Sequence, residues 1–153
     1  IVAMGGDGLT QASKDAVLAA NYLQSQVEGL LDVPYARPCM HEFVASASNL
    51  ARSGVRALDV AKGLLERGYH APTVYFPLVV PEALMIEPTE TEVKATLDGF
   101  ARALREIVTE GRQDPERLHE EPRSLPVGRM DEVAAARHPV LRWRAPDGAI
   151  AAD

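Results

Sequence analysis

Four side chains that could hold a polar ligand lie within one stretch of this sequence, residues 70–92 (HAPTVYFPLVVPEALMIEPTETE). His70 and Thr73 belong to a proline-containing segment directly before a predicted strand, and loops at strand ends often carry ligand-facing groups. Glu87 and Thr89 follow the next predicted strand. Each has a simpler alternative, because Thr73 can cap a turn, and Glu87 and Thr89 can serve helix capping and the helix dipole. We treat all four as candidate cleft residues.

The polar residues outside this stretch give weaker indications of a functional site. His41 and Glu42 lie near the start of a predicted strand, as a polar pair in a cleft or as a surface pair. The four histidines are not at metal-ligand spacing, so we predict no metal site. Cys39 is the only cysteine and has no evident activating neighbour, which predicts a structural role. The phosphate-loop, dinucleotide-binding, zinc-protease, dithiol and nucleophile-elbow motifs do not occur, so no catalytic residue is assigned.

The three lysines are poor candidates for covalent chemistry. Lys14, Lys62 and Lys94 each fall on or beside the polar face of a predicted amphipathic helix. A lysine that forms a Schiff base needs a desolvated pocket next to its cofactor. We therefore predict solvated lysines and assign no cofactor-binding residue.

The elements around these residues follow the order helix, strand, helix, strand, strand, helix. Apolar spacing predicts a long amphipathic helix over 8–31, which is either a spine between two bodies or an outer-layer helix. Residues 40–47 predict a strand and 46–54 a polar loop. A helix over 55–67 should end at Gly68, with Asp59 on its polar side.

Two short strands and a third helix complete the predicted domain. Residues 74–76 and 83–86 read as strands around a proline-bounded turn. Thr89 and Glu92 form a potential capping box, after which apolar residues recur at helical spacing up to Gly111. We predict an α+β small domain over 1–111, with helices on one face of a mostly antiparallel sheet.

Residues 112–153 are predicted to form an extended docking tail with short helices. Asp114 and Pro115 open one helix, residues 130–137 allow another turn or two, and 141–144 could add an edge strand. Residues 145–153 are expected to be frayed. The tail has no core of its own, so we expect it to lie across a surface, which could be that of another chain.

Composition limits the class of protein. With 153 residues, 46% of them apolar and 25% charged, the chain fits one soluble globular domain. A net charge of −6 argues against a nucleic-acid partner, and no apolar run is long enough to cross a membrane. The single cysteine and the lack of a signal-peptide pattern favour a cytoplasmic location. The sequence begins with Ile1 and not with Met, so we expect a piece cut from a longer protein, although a removed leader or tag is the alternative.

Several short segments, in their order and spacing, resemble one known family. They are NYL (21–23), MHEF (40–43), ALDVAK (57–62), HAPT (70–73), EPTETE (87–92), PV (126–127), RMDE (129–132) and HP (138–139). Together they resemble the C-terminal part of the glycine cleavage system P-protein, the pyridoxal-phosphate-dependent glycine dehydrogenase (decarboxylating), above all subunit 2 of the two-subunit bacterial form. The resemblance covers nearly the whole chain.

The resemblance implies the small C-terminal domain of a fold-type I pyridoxal phosphate (PLP) enzyme. Such an oxidoreductase decarboxylates glycine and passes the aminomethyl group to the lipoyl arm of H-protein. The family's PLP lysine follows a histidine and precedes a glycine-rich stretch in an upstream domain, and neither motif is present here. The chain alone is therefore expected to hold no cofactor and to be inactive.

The resemblance also implies partners and a place for the cleft residues. The expected partners are the upstream PLP domain, P-protein subunit 1 and lipoylated H-protein, within an oligomer. Because small domains of related folds close over the large domain, His70, Thr73, Glu87 and Thr89 are expected to face the substrate cleft. No carboxylate-binding arginine can be named, and only Arg37 lies near a predicted loop–strand junction.

Two other functions stay open at this point. The chain could be a non-catalytic interaction module that reuses the small-domain fold and binds a partner through its tail or an orphaned apolar face. It could also be an amino-acid-binding regulatory domain, which predicts that the isolated chain binds glycine.

Overall fold

Three short strands form the sheet in the computed structural model, which describes residues 1–142 of the chain. The strands β1 (Phe43–Ser46), β2 (Thr73–Val74) and β3 (Ala83–Ile86) are antiparallel, in the spatial order β1-β3-β2. β3 has the predicted bounds, β1 is shorter than the predicted strand over 40–47, and β2 shares only Val74 with the predicted strand over 74–76. β2 ends before Tyr75 because that residue has a left-handed φ of 58°, which interrupts an extended strand.

One face of the sheet packs against the helices. Leu84 of β3 lies opposite Ala45 of β1 and Val74 of β2, so these three apolar side chains share a face. The helices are α1 (Gly5–Val27), a 3-10 helix (Ala47–Ser53), α2 (Ala57–Glu66), α3 (Lys94–Gln113), α4 (Pro115–His119) and α5 (Glu132–Arg137). The predicted α+β class, with helices on one face of an antiparallel sheet, is confirmed.

The core is formed where α1, α2 and α3 meet the sheet. Its fully buried side chains include Val27, Leu64, Leu104 and Ile107, one or more from each of these helices. Only the second half of α1 contributes, since its buried residues begin at Ala19. Within residues 1–142, the structure contains no helix that combines the length and the apolar character of a membrane span.

The predicted polar loop over 46–54 is wrong. It is mostly the 3-10 helix, in which Ala47 and Leu50 are fully buried at a spacing of three residues. The Ser46 side chain caps this helix by accepting a hydrogen bond from the Ser48 backbone N–H, at 3.2 Å. The serine and asparagine content indicated a loop, but the two apolar residues fix the segment to the core.

The predicted capping box of Thr89 and Glu92 is also wrong. α3 begins at Lys94, and its N-cap is Val93, whose carbonyl accepts from the Leu97 N–H at 3.2 Å. The Thr89 hydroxyl instead lies 2.7 Å from the Thr91 hydroxyl, within a turn that precedes the helix. Thr89 is therefore not occupied in capping α3.

Two helices have other boundaries than those predicted. α1 spans Gly5–Val27 and not 8–31. α3 continues past Gly111 to Gln113. Gly111 leaves room for Val55 and Leu118, each of which has a side-chain atom 3.2 Å from the position of an added Cβ. Gly68 does follow α2 with the predicted left-handed φ of 80°.

The start of the predicted tail packs against the domain through a buried leucine and an ion pair. Leu118 of α4 is fully buried, and Glu121 is 2% exposed, with its carboxylate 2.8 Å from the Arg67 guanidinium. Desolvation opposes the charge of Arg67, but its ion pairs with Glu121 and Glu110 outweigh that effect and raise the pKa of Arg67. The core thus includes a residue beyond the predicted boundary after Gly111.

The tail then crosses α2. The prediction that Asp59 faces solvent is wrong, since its side chain is buried. Its carboxylate lies 2.7 Å from the Arg129 guanidinium and accepts a hydrogen bond from the Arg56 N–H at 2.8 Å. The Glu66 carboxylate accepts from the Arg123 and Ser124 N–H groups at 2.6 and 3.0 Å. Part of the tail therefore lies on this chain's own surface.

The two short tail helices form as predicted. The Asp114 side chain caps α4 by accepting from the Arg117 N–H, and Pro115 is its first residue. α5 falls within the predicted 130–137. Of the predicted edge strand, Leu141 and Arg142 are described and are not in a strand, whereas residues 143–153, including the segment predicted to be frayed, lie outside the described residues.

Candidate functional site

His70, Thr73, Glu87 and Thr89 line one cleft with a volume of about 350 Å³. They meet because β2 and β3 are antiparallel neighbours, so the residues before β2 and those after β3 lie at the same end of the hairpin. All four side chains are exposed to solvent. Two segments separated by a turn in the sequence thus converge on one surface, and what this surface binds stays a prediction.

The floor and wall of the cleft are apolar. Leu23 of α1, Leu97 of α3 and the buried Pro88 contribute to the lining. Tyr69 and Phe100 form an edge-to-face pair with 5.6 Å between ring centroids and an interplanar angle of 89°. Apolar walls with a few polar groups at the rim are typical of a small-molecule site.

Gly99 sets the position of one wall. An added Cβ at this position would overlap the Tyr69 hydroxyl oxygen, so the tyrosine occupies space that only a glycine leaves free. A glycine inside a helix lowers helix stability by about 1 kcal/mol relative to alanine. Its presence within a predicted helix was the one sequence feature that could have indicated a close contact at this position. The sequence analysis did not single out Tyr69 or Gly99.

The charges around the cleft are few. The Glu87 carboxylate lies 3.8 Å from His41 Nε2, and both side chains are more than half exposed, so their interaction is weak. His41 therefore pairs at the rim and does not line the cleft, and Arg37 does not line it either. Among the described residues, those that line the cleft include neither a lysine nor an arginine. The Glu87 carboxylate allows the cleft to accept a cation or an ammonium group, but the described lining offers no lysine or arginine to a carboxylate or a phosphate.

None of the three lysines fits the residue that holds PLP. Lys94 Nζ lies 3.0 and 2.7 Å from the two carboxylate oxygens of Asp98 and 4.9 Å from the centre of the Tyr22 ring. The hydrogen bonds to Asp98 and to Tyr22 raise the pKa of Lys94, which favours the protonated amine over the neutral amine that forms an imine. Lys14 is exposed and Lys62 is half-buried on the surface of α2.

No group of three or more histidine, cysteine, aspartate or glutamate side chains within residues 1–142 could hold a metal ion. Cys39 is half-buried, and desolvation raises the pKa of its thiol, which disfavours the reactive thiolate.

Comparisons with known proteins identify relatives of this chain. The sequence model of a family described as "Glycine dehydrogenase, C-terminal domain" matches residues 12–124, which include the whole cleft. "Probable glycine dehydrogenase (decarboxylating) subunit 2" from Thermotoga maritima is 55% identical over 145 residues, covering 94% of this chain and 31% of that protein. The protein of the same name from Rhodopirellula baltica is 56% identical over 140 residues, covering 91% and 27%.

A solved structure shares the fold. It is a crystal structure of glycine decarboxylase (P-protein) of the glycine cleavage system, in inhibitor-bound form. The TM-score is 0.56 at 24% sequence identity, over 69% of this chain and 23% of that chain. This chain therefore spans less than a third of the length of these curated relatives and of this structural neighbour.

Proposed function

The chain belongs to the glycine dehydrogenase C-terminal domain family, and we propose that it acts as the C-terminal domain of a PLP-dependent glycine decarboxylase, the P-protein of the glycine cleavage system. The complete enzyme would decarboxylate glycine and transfer the aminomethyl group to the lipoylated H-protein. The structural observation that supports this proposal is the cleft at the end of the β2–β3 hairpin, which is lined by His70, Thr73, Glu87 and Thr89.

The cleft would supply one side of the glycine site. The Glu87 carboxylate can pair with an ammonium group, and the hydroxyls of Thr73 and Thr89 can donate and accept hydrogen bonds. A lysine or an arginine would pair best with the carboxylate of glycine, and neither is among the described residues that line this cleft. That cation, together with the lysine that holds PLP, would therefore come from the polypeptide that the longer relatives have in addition to this region.

The remaining partners follow from the same assignment. Relatives carry the designation subunit 2, so we propose a complex with P-protein subunit 1, in a cytoplasmic oligomer that receives lipoylated H-protein. The cleft residues are exposed in this chain, as a surface that closes against a second domain requires.

Substitution of the cleft residues in the protein expressed from the complete open reading frame tests this function. We expect His70→Ala and Thr73→Val each to lower kcat/KM for glycine about tenfold to a hundredfold, the effect of losing a hydrogen bond to a charged ligand. The urea midpoint of unfolding should change little, because both side chains are exposed.

Two matched substitutions serve as controls. His138→Ala and Thr109→Val change the same residue types at exposed positions away from the cleft and should leave turnover unchanged. Cleft variants with the same turnover as these controls would contradict the proposal. Micromolar glycine binding by the 153-residue chain alone, measured by calorimetry, would instead favour an amino-acid-binding regulatory domain.

A further inference from the structure

The loop between β2 and β3, residues 75–82, presents adjacent large apolar side chains to solvent. Leu78 is 87% exposed, Val79 is 79% exposed and Phe76 is 51% exposed. Residues 76–81 (FPLVVP) contain no charged or polar side chain. The largest contiguous apolar patch on the surface of a protein is often a functional contact site.

The loop has a defined conformation and is held at both of its ends. Tyr75 and Glu82 have left-handed φ values of 58° and 49°, which are unfavourable for residues other than glycine. The Tyr75 N–H donates to the Ala83 carbonyl at 2.8 Å. The Glu82 carboxylate lies 2.6 Å from the Arg56 guanidinium and accepts from the Ala57 N–H at 2.7 Å. These contacts hold both ends of the loop in a strained backbone conformation, which limits the entropy that the loop would lose on binding a partner.

The loop and the cleft occupy opposite ends of one hairpin. Thr73, the first residue of β2, lines the cleft, and the loop begins directly after Val74. At a rise of about 3.3 Å per residue, the two ends of the hairpin are about 10 Å apart. A surface that holds the loop would therefore also fix the position of the cleft.

The size of the patch indicates the kind of partner. Its few side chains expose on the order of a few hundred Å², whereas each partner in a stable complex of separate proteins buries roughly 800 Å². Contacts between domains of one polypeptide can be smaller, because the covalent link gives the second domain a high effective concentration. The relative from Thermotoga maritima has 69% of its length outside the region that matches this chain, since that region makes up 31% of it.

We propose that the 75–82 loop docks into an apolar depression on the large domain that the relatives have in addition to this region, and that this contact positions the cleft. The inference rests on the proposed function for the presence of that domain. The docking loop contains none of the four candidate cleft residues, so the proposed contact is distinct from the proposed glycine site.

Hydroxyl-radical footprinting tests the contact without requiring activity. Labelling of Phe76 should be at least about threefold slower in the protein from the complete open reading frame than in the 153-residue chain, as its exposed fraction falls from 51% to that of a buried residue. The double variant Leu78→Ser/Val79→Ser should restore fast labelling. The matched control Val140→Ser/Leu141→Ser, which changes side chains that are each 88% exposed, should not.

The possible outcomes separate this inference from the proposed function. Equal labelling of Phe76 in both proteins, or an open reading frame without a further domain, would overturn the inference. Protection in the 153-residue chain that increases with its concentration would overturn it too, because a second copy would then cover the loop. A protected loop in a protein that does not decarboxylate glycine would reject only the proposed function, and an exposed loop in an active enzyme would reject only the docking contact.

Discussion

A single methyl group added at position 99 tests the packing that shapes the cleft. The Cβ of Gly99→Ala would overlap the Tyr69 hydroxyl oxygen, while the next atom of that side chain, Cζ, would be 3.5 Å away. Tyr69 lines the cleft and packs edge-on against Phe100, so the substitution must displace the tyrosine or shift α3.

The expected magnitude follows from two opposing effects. Replacing glycine by alanine within a helix stabilises it by about 1 kcal/mol, whereas overpacking of this kind costs about 1–3 kcal/mol. Gly99→Ala should therefore destabilise the chain by about 0–2 kcal/mol. In the Tyr69→Phe background the overlapping oxygen is gone and 3.5 Å is an ordinary contact, so the same change should stabilise by up to about 1 kcal/mol.

Urea unfolding of the wild type, both single variants and the double variant measures the coupling. We expect the effect of Gly99→Ala to change sign between the two backgrounds, with a coupling free energy of about 1–3 kcal/mol. Gly6→Ala is the control, because position 6 lies in α1 with no atom within 4 Å of an added Cβ. An equal effect of Gly99→Ala in both backgrounds would refute the packing described for Tyr69.

Two further predictions concern the attachment of the tail. Arg67→Met should lower the free energy of unfolding by about 3–5 kcal/mol, because it leaves the buried Glu121 carboxylate without its cation. Substitution of an exposed arginine, Arg102→Met, is the control. A loss below about 1 kcal/mol for Arg67→Met in urea unfolding would contradict this prediction. Hydrogen bonds from the Ser124 and Arg123 N–H groups lower the pKa of Glu66, so the tail contact should be complete above the ordinary carboxyl pKa of 4.5 and be lost as the pH falls through the lowered value. The NMR shift of the Ser124 amide should report this transition, Glu66→Gln should abolish it, and a midpoint above 4.5 would oppose this interpretation.

Local sequence patterns were sufficient for the elements that place the cleft. The apolar run that forms β3 and the prolines before it predict a strand after a turn, and the predicted strand over 74–76 lies next to β2, although only Val74 belongs to both. Such strands pair antiparallel, and that alone brings the residues flanking the hairpin together. The apolar spacing of α3 likewise predicted a long helix behind the cleft.

The features that sequence patterns missed depend on contacts between distant segments. Arg67 and Glu121 are separated by 54 residues, and each alone resembles a solvated surface charge. Buried Asp59 shows the same effect, because Arg129, from the tail, lies 2.7 Å from its carboxylate. The wall of the cleft is another such case, since only the fold brings the Tyr69 hydroxyl against Gly99.

The most direct test of the central claim is to locate PLP in the protein expressed from the complete open reading frame. After reduction with sodium borohydride, mass spectrometry identifies the labelled lysine, and CO2 release from glycine is measured on the same preparation before reduction. We expect glycine-dependent CO2 release and a label on a lysine outside these 153 residues. A label on Lys14, Lys62 or Lys94, or the absence of both label and CO2 release, would contradict the assignment of this chain as the C-terminal domain of a PLP-dependent glycine decarboxylase.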